Sequence, residues 1–587
     1  MSAFDLVVRN GILIDGTGAE RQRCDVAIKD GVVAKVAPSI AEDAAEVIDA
    51  SGLIVAPGVI DVHTHYDAQV HWDPYCTNSS WHGTTSTIIG NCGFGYAPCR
   101  PENRDRYMLM MENTEEVPFA AQQAALPWDW ESWPEWLRSM QRIDKGINLA
   151  SFLPLNALMI YVMGLDAAKS RAATPAELQQ MKDLLNEAMD AGAIGFAFSY
   201  LQNTSGHVDY DGTPMPTDTM HVEDAYALAE VLRERNQGVI QSIVEMPGAV
   251  ENREVVENLA RISGRPVIHN LIMVVDGIPG YWRDIADWLT RLSDEGLEVY
   301  SQSVCARAWT EFRVGNYGFW DGVNEVFPEF SNCGDMNDKL EKAQSVEYRE
   351  KLKAVYTPES MNGFGGPLST LRLVNMHDHP IYTAFEGKFL ADVMAAENKH
   401  EVDVLFDIFI ATDGLADFAT TETASEDADQ IAEMLRHPRV IPGASDGGAH
   451  MKYWSGGQFS TDMLMWMCKE EKRFTLEEMH EMLSARSARA VGLSNRGVVR
   501  EGYAADLMIY DPDKLGYDKN RYQVVHDVPG DEWRRISPAR GVEWVVVNGK
   551  PIMRGMEPSG AHPGQMLSNQ GVAVDRRLAE AAPLAAE

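Results

Sequence analysis

The feature that most constrains this chain is a series of apolar runs of strand length, separated by segments with helical periodicity. Strands that alternate with helices pair in parallel and bury their faces under those helices. Eight such runs indicate a (β/α)8 barrel of the TIM type, an α/β fold in which chemistry lies at the carboxyl ends of the strands. The runs are GVIDVHTH from Gly58, TSTIIGNCG from Thr85, NLASFLPLNAL from Asn148, AIGFAFSY from Ala193, GVIQSIVEM from Gly238, PVIHNLIM from Pro266, EVYSQSV from Glu298 and RVIPGASD from Arg439.

The two ends of the chain have a different texture. The first fifty residues alternate short β-branched runs with turn pairs such as Asn10-Gly11 and Asp30-Gly31, and Asn548-Gly549 repeats this pattern near the other end. Such pairs favour tight hairpins. We therefore expect a small β-sandwich built from residues 1–56 and 497–556, with the barrel over 57–496 and an arm or tail over 557–587.

The segment between the seventh and eighth runs is too long for one helix. We expect an insertion over about residues 308–385, which could cover the barrel mouth. Its aromatic residues could line an apolar pocket for a substrate, or they could form a core of their own. They are Trp309, Tyr317, Phe319 and Trp320.

Charge and cysteine content exclude some classes of function. The formal net charge of −36 opposes binding to nucleic acid or to an anionic membrane. No apolar run is long enough to span a bilayer, and the amino terminus lacks a secretion signal. Seven cysteines without a CxxC pair suit a reducing compartment. We expect a cytoplasmic homo-oligomer that acts on a small molecule.

The first run ends in two histidines, His63 and His65, one residue apart. Residues two apart on a strand point to the same side, so both rings and the carboxylate of Asp61 would face the catalytic end of the barrel. Imidazole is the commonest protein ligand of divalent transition metals. An isolated pair of this kind could equally be two hydrogen-bonded core histidines.

Other strand ends add donors at the same rim. The second run ends at Cys92, and the eighth is followed by Asp446 and His450. A thiolate, two imidazoles and a carboxylate together suit zinc. Asp446 could either ligate the ion or accept the proton of a metal-activated water and pass it to the leaving group. Taken alone, Cys92 could be a small buried hydrophobe.

Several longer segments share a pattern with a known family. They are GVIDVHTHYDAQVHWDP, SWHGTTSTIIGNCGFGYAPCRP, FEGKFLADVMA, ASDGGAH and VREGYAADLMIYDP with WVVVNGKP. Together they resemble the amidohydrolase superfamily, in its D-aminoacylase or N-acyl-D-amino-acid deacylase branch, from about residue 4 to residue 567. The resemblance implies zinc-assisted hydrolysis of an amide bond on a (β/α)8 barrel with a small β-sandwich.

The resemblance also assigns roles and shows departures. It matches His63 and His65 to the ligands of the first strand, Cys92 to a bridging cysteine and Asp446 to the catalytic aspartate. The branch has further histidines on its fifth and sixth strands. Here the fifth run has none, although Glu245 could replace an imidazole, and His269 in the sixth run lies two residues too early for a certain ligand.

Three residues are candidates for contacts to the substrate or to the ligands. His82 matches the family block WHGTT and could orient a neighbour, and His450 could touch the substrate. Arg307, with Arg313 nearby, could hold a substrate carboxylate through two hydrogen bonds, or could be a surface arginine.

We therefore expect a zinc-dependent amidohydrolase that binds one or two Zn²⁺ ions per chain and hydrolyses an N-acyl (D-)amino acid or a similar small acyl-amide. Asp446 would act as general base and then as general acid. Two alternatives stay open. The same metal barrel could act on an ester or cyclic amide or in decarboxylation, or the chain could be a non-catalytic oligomeric scaffold.

Overall fold

The computed structural model describes residues 2–574, except 206, 248–249, 276–277, 308, 318–319, 322, 362–364 and 421–425. Phe319 and the last thirteen residues of the expected arm therefore lie outside the described residues. The strands in chain order are β1 (Phe4–Leu13), β2 (Gln22–Lys29), β3 (Val32–Ala37), β4 (Ala44–Asp49), β5 (Ile54–Pro57), β6 (Val59–Asp61), β7 (Thr84–Ile89), β8 (Asn148–Ser151), β9 (Leu153–Pro154), β10 (Gly195–Ser199), β11 (Val239–Ile243), β12 (Val267–Met273), β13 (Val299–Val304), β14 (Glu311–Arg313), β15 (Arg372–Asn375), β16 (Asp417–Ala419), β17 (Val440–Pro442), β18 (Leu507–Tyr510), β19 (Gln523–Val528), β20 (Glu532–Ile536), β21 (Val542–Val547), β22 (Lys550–Arg554), β23 (Glu557–Pro558) and β24 (Met566–Leu567).

The α-helices of the described residues fill most of the intervals between the central strands. They are α1 (Thr77–Ser80), α2 (Arg104–Glu115), α3 (Phe119–Ala125), α4 (Trp133–Arg142), α5 (Leu155–Met163), α6 (Leu165–Ala168), α7 (Pro175–Ala191), α8 (Pro216–Thr219), α9 (Val222–Arg235), α10 (Arg253–Ser263), α11 (Tyr281–Asp294), α12 (Pro328–Ser331), α13 (Met336–Gln344), α14 (Val346–Val355), α15 (Leu390–Glu397), α16 (Glu401–Ala411), α17 (Ala428–Arg436), α18 (Phe459–Met463), α19 (Leu476–His480) and α20 (Ser487–Ala490). None of the helices that the model describes is long and apolar enough to cross a membrane.

All eight apolar runs form strands at the predicted places. They are β6, β7, β8 with its continuation β9, β10, β11, β12, β13 and β17. Parallel pairing orders them β17-β13-β12-β11-β10-β9 in one sheet and β8-β7-β6 in another, with β24 added in parallel beside β8. Only Phe152 separates β8 from β9. On the other side, an isolated parallel bridge joins Thr64 to Gly447.

One cluster of buried apolar side chains takes residues from all eight central strand positions. Strands that curve around a common axis point alternate side chains at one another in this way. The cluster includes Ile60, Ile88, Ala150, Ala197, Val239, Ile268, Tyr300 and Ile441. The described strands do not form one continuous hydrogen-bonded ring. The closed barrel therefore stays a prediction, whereas the parallel α/β architecture is confirmed.

The chain ends form one nine-stranded sheet, as expected for a β unit built from both termini. Its order is β23-β22-β21-β18-β5-β1-β2-β3, and β4 pairs with β1. The amino- and carboxy-terminal parts meet where β5 runs antiparallel to β18, with Pro57 opposite Leu507. Beside this sheet, β19 and β20 form a separate hairpin. Two facing sheets, as in a sandwich, remain a prediction.

The insertion after the seventh strand has a core of its own. Its small antiparallel sheet has the order β14-β16-β15, so this unit extends beyond the predicted end at residue 385 to Ala419. Tyr317 and Trp320 pack in this core, and Trp309 stacks on Tyr522 with ring centres 4.5 Å apart. These three aromatic side chains therefore have structural packing partners.

A buried arginine connects the insertion to the β19–β20 hairpin. Arg535 Nη1 donates to Glu311 Oε2 at 3.0 Å, and Nη2 donates to Asp417 Oδ1 at 2.7 Å. Its Nε donates to the carbonyl oxygen of Lys452 at 2.7 Å. Because Arg535, Glu311 and Asp417 are all buried, removing the cation leaves Glu311 without a basic partner and Asp417 with Arg313.

We predict that Arg535→Met destabilises the protein by about 3–5 kcal/mol. The matched control is Arg554→Met, because Arg554 pairs with Glu46 at the surface, where an ion pair contributes about 0–1 kcal/mol. Thermal unfolding followed by circular dichroism would compare the two variants. Equal unfolding midpoints would contradict a structural role for this ion cluster.

Candidate functional site

Three buried donors converge at the carboxyl ends of two neighbouring strands. His63 and His65 follow β6, and Cys92 follows β7. The metal-binding atoms of these three side chains lie within 4.8 Å of one another, and each residue is at most 2% exposed. Cys92 Sγ is 3.3 Å from His63 Nε2. The predicted first-strand pair and the cysteine are thus brought together.

The backbone after β7 turns sharply to present the thiol. Cys92 has a left-handed φ of 58°, which is unfavourable for a side chain other than glycine. Its N–H donates to Gln241 Oε1 at 2.7 Å, and this bond from β11 fixes the turn. Gly93 follows with φ 80°, and a Cβ there would lie 2.9 Å from Ala197 O, so the close approach to β10 requires glycine.

Asp446 reaches both imidazoles from the loop after β17. Its Oδ1 lies 3.2 Å from His63 Nε2 and 3.8 Å from His65 Nε2. The loop is held against the first strand because His65 N–H donates to Gly447 O at 2.7 Å. A Cβ on Gly448, which has φ 93°, would lie 2.7 Å from His65 O, so the strand and the loop can approach this closely only with glycine. The side chain of Asp446 is one-third exposed, and a substrate can reach it.

Two amides set the orientation of the His63 ring. Gln302 Nε2 donates to Val62 O at 3.0 Å, so its Oε1 is the atom that faces His63 Nδ1, at 2.7 Å. Nδ1 therefore carries the proton, and the lone pair on Nε2 points toward Cys92 and Asp446. Asn270 Nδ2 also lies 2.9 Å from His63 Nδ1. Rotating this amide by 180° would place its oxygen there, as a second acceptor for the proton.

Burial dominates the electrostatics of the site. It raises the pKa of the Cys92 thiol well above its usual value and lowers the pKa of His65 well below its own. It also raises the pKa of Asp61 to about 7, against the hydrogen bond from Ser445 Oγ at 2.6 Å. A divalent cation would oppose the shift of Cys92 and reinforce that of His65, because it favours thiolate and neutral imidazole.

A further carboxylate, not predicted from the sequence, faces the site from the end of α2. Glu115 Oε2 lies 3.6 Å from His65 Nε2 and 3.9 Å from His450 Nε2, and the residue is 1% exposed. Burial raises the pKa of Glu115 to about 8. No motif marks this glutamate, because it is the last residue of a helix and does not follow a strand.

His450 lies beside the site, as predicted. Its backbone N–H donates to Glu115 O at 2.7 Å, and its Nδ1 contacts Glu116 Oε2 at 2.8 Å. Burial lowers the pKa of His450, but the hydrogen bond and charge of Glu116, with the charges of Glu115 and Asp446, raise it to about 9. His450 is thus a cationic group at the rim of the donor cluster.

The structure does not bring His269 to this group. Its Nε2 lies 2.8 Å from Glu245 Oε1 and its Nδ1 lies 2.8 Å from Ser301 Oγ. The neighbouring Asn270 faces His63 instead, because successive residues of a strand point to opposite sides. Glu245, which could replace an imidazole, is fully buried and also pairs with Arg253 at 2.8 Å.

Two other predicted residues have their polar atoms engaged elsewhere. His82 precedes β7, at the end of the strand opposite to Cys92, where its Nδ1 contacts Thr461 Oγ1 and its Nε2 contacts Ser537 O. Arg307 pairs with buried Asp462 at 2.7 Å and with Glu470 at 2.8 Å. Both side chains thus have partners outside the donor cluster, and their expected contacts with substrate or ligands stay predictions. Arg313, named with Arg307, pairs with Asp417 at 3.1 Å.

Chemically, the cluster offers two imidazole nitrogens, a thiol and a carboxylate around one small space. This mixture of borderline and soft donors suits zinc. Asp446 is in addition the most accessible of the four side chains. The arrangement can hold a divalent cation and place a proton acceptor next to it.

Comparison with known proteins gives consistent matches over nearly the full chain. The model of the Amidohydrolase family matches residues 46–272 and 388–553. An uncharacterized protein of Mycobacterium tuberculosis is 26% identical over 546 residues, which cover 88% of this chain and 86% of that protein. N-acyl-D-aspartate deacylase of Alcaligenes xylosoxydans xylosoxydans is 23% identical over 571 residues, covering 96% of this chain and 95% of the relative.

A solved structure shares the fold. The crystal structure of N-acyl-D-glutamate deacylase from Bordetella bronchiseptica, complexed with zinc and a phosphonate inhibitor, matches with a TM-score of 0.63 and 24% identity. The match covers 96% of this chain and 99% of that chain. At this identity the likeness concerns the fold, and it extends the similarity across the whole described molecule.

We predict that Gln302→Leu weakens zinc binding by about 10–100-fold, because His63 loses the acceptor that fixes its protonated nitrogen. Competition with a chromophoric chelator would measure the affinity. The matched control is Gln179→Leu on the exposed face of α7, which should bind zinc like the unmodified protein. Unchanged affinity in Gln302→Leu would contradict the orienting role.

Proposed function

Because this chain belongs to the amidohydrolase family, and so to the predicted class of hydrolases of amide carbon–nitrogen bonds, we propose a specific activity for it. It is a zinc-dependent hydrolase. Its substrate is an N-acyl amino acid, of the D series, or a similar small acyl-amide. His63, His65 and Cys92 hold the metal. Asp446 completes the ligand set and acts as general base and then as general acid.

The observation that carries this proposal is the spacing of the donor atoms around the two imidazoles. Ligand atoms around one tetrahedral zinc ion, about 2.0–2.3 Å from it, are separated from one another by about 3.3–3.8 Å. Cys92 Sγ and Asp446 Oδ1 lie 3.3 and 3.2 Å from His63 Nε2, and Asp446 Oδ1 lies 3.8 Å from His65 Nε2. Core histidines with only structural roles have no reason to match these separations.

The side chains divide the chemistry among them. A zinc ion, when bound, would polarise the substrate carbonyl and lower the pKa of water. Asp446 accepts the proton of the attacking water and later gives it to the leaving amine nitrogen. Gln302 keeps the lone pair of His63 Nε2 directed at the site. Asp446 suits its role because it is close to both imidazoles and still partly exposed.

The relatives support the substrate class. One acts, by its name, on N-acyl-D-aspartate, and the solved structure with the same fold is an N-acyl-D-glutamate deacylase bound to zinc. The amino-acid part of such substrates carries a carboxylate. In this chain, however, Arg307 and Arg313 are both paired with aspartates.

This pairing favours a second candidate, in which the same metal site acts on another bond. An ester or cyclic amide without a free carboxylate needs no arginine partner. Decarboxylation is the other reaction that this candidate includes. His269 contributes no imidazole to the site, because it lies against Glu245, and this also favours the second candidate. The deacylase branch has further histidines on its fifth and sixth strands, so the metal would have different ligands here. A non-catalytic scaffold is less well supported, since buried donors that face one another without a ligand cost free energy.

We predict that Asp446→Asn abolishes turnover, by at least about 100-fold, while the protein still folds. Release of free amine from a panel of N-acyl-D- and N-acyl-L-amino acids would measure turnover. Asp183→Asn, on the exposed surface of α7, is the control and should react like the unmodified protein. Turnover of Asp446→Asn within a few-fold of the parent would rule out its role as base. Turnover of cyclic amides or esters alone would favour the second candidate.

We also predict that the purified protein contains zinc and that chelation removes its activity. Elemental analysis before and after dialysis against a chelator would measure the zinc content, and added zinc should restore turnover. His63→Ala and Cys92→Ala should each contain less zinc than the parent. A parent protein without stoichiometric metal that gains no activity from zinc would support the scaffold instead.

A further inference from the structure

Beyond the four donors already described, one more carboxylate is aimed at the site. Glu115, the last residue of α2, is 1% exposed, and its Oε2 lies 3.6 Å from His65 Nε2. Its other oxygen, Oε1, is buried and has no hydrogen-bond partner among the described residues. An ionised carboxylate in this position would need a compensating cation, because burying an unpaired charge is costly.

The protein offers no strong cation to Glu115. Within the described part of the chain, no lysine or arginine nitrogen lies within 4.0 Å of it, and its nearest basic neighbours are His65 and His450. His450 Nε2 is 3.9 Å away, and its Nδ1 is already engaged by Glu116 at 2.8 Å. The remaining candidate partner is a cation bound between Glu115 and the donor cluster.

The spacing fits such a partner. The 3.6 Å between Glu115 Oε2 and His65 Nε2 falls within the range of about 3.3–3.8 Å expected for two ligands of one zinc ion. Asp446 Oδ1 lies 3.8 Å from the same imidazole nitrogen. His65 is thus flanked by two carboxylates, just as His63 is flanked by Cys92 and Asp446.

We propose that Glu115 is a further ligand of the metal centre, supplied by helix α2 rather than by a barrel strand. This inference rests on the proposed zinc site and extends its ligand set. The carboxylate makes up for an imidazole that the sixth strand does not supply, since His269 Nε2 lies 2.8 Å from Glu245 Oε1. Glu245, the carboxylate that the sequence offered as a substitute, lies against His269 and accepts a hydrogen bond from Arg253 Nε at 2.8 Å.

The test compares Glu115→Gln with Glu112→Gln in the full-length protein. Glu112 lies on the exposed face of the same helix, and its Oε1 accepts a hydrogen bond from Phe119 N–H rather than contacting the cluster. We expect Glu115→Gln to weaken zinc binding at least about 10-fold by chelator competition. It should also change the visible absorption spectrum of the cobalt-substituted protein, because a ligand is lost. Glu112→Gln should keep the parent affinity within about two-fold and the parent spectrum.

Thermal unfolding of the metal-free proteins separates ligation from a purely structural role. Because glutamine has nearly the same size and shape as the glutamic acid that it replaces, the metal-free Glu115→Gln protein should unfold at the same temperature as the parent or at a higher one. Zinc should raise its midpoint less than that of the parent. A lower midpoint without metal would assign Glu115 a structural role and overturn the inference.

The outcomes also distinguish this inference from the proposed function. If the parent binds zinc through Cys92 but Glu115→Gln keeps the parent affinity and cobalt spectrum, Glu115 is not a ligand and the proposed function stands. If the parent binds neither zinc nor cobalt, the metal site itself is wrong, and the inference fails with it. Weaker binding, a changed spectrum and undiminished metal-free stability together support the assignment.

Discussion

The contact between the first strand and the loop after the eighth strand is the constraint on which the candidate site depends. The bridge from Thr64 to Gly447 and the hydrogen bond from His65 N–H to Gly447 O place the two ends of the central strand series side by side. Without this contact, Asp446 would not lie near both imidazoles. Gly448 permits it, because any side chain there would collide with the His65 carbonyl oxygen. A short backbone contact thus decides whether distant residues form one site.

Three neutral amide side chains contact the donor residues. Gln241, Asn270 and Gln302 lie on β11, β12 and β13, and they contact the Cys92 backbone or the His63 ring. Amides can fix the orientation of a ligand without adding charge, so they leave the charge of the site to its thiolate and carboxylates. The strands that carry no imidazole toward the site therefore still contribute to it.

The sequence was sufficient to predict those parts of the molecule that a pattern of neighbouring residues marks. Eight apolar runs marked the central strands, and the spacing of His63 and His65 marked two donors on one side of a strand. Cys92 and Asp446 were predicted because they follow strands directly. The closed barrel, the sandwich and the role of each donor remain predictions.

The misplaced and missed residues share a physical reason. The direction of a side chain depends on strand register and tertiary contacts, so the sequence could not decide that Asn270 and not His269 faces His63. Arg307 looked available because its partner Asp462 is 155 residues away in the chain. Glu115 could not be found because it reaches the site from a helix end, and only the fold brings that end to His65.

Charge balance links the proposed ligands to their surroundings. Zinc with two neutral imidazoles, the Cys92 thiolate and the Asp446 carboxylate has no net charge, and Glu115 would add one negative charge. A site with excess negative charge binds a cation more tightly but polarises a substrate carbonyl less, because the ligands neutralise more of the metal charge. His450 lies beside Glu115 and is held there by Glu116, where a positive charge would offset the excess. The helix end and the eighth loop therefore act together, one adding a carboxylate and the other limiting its electrostatic effect.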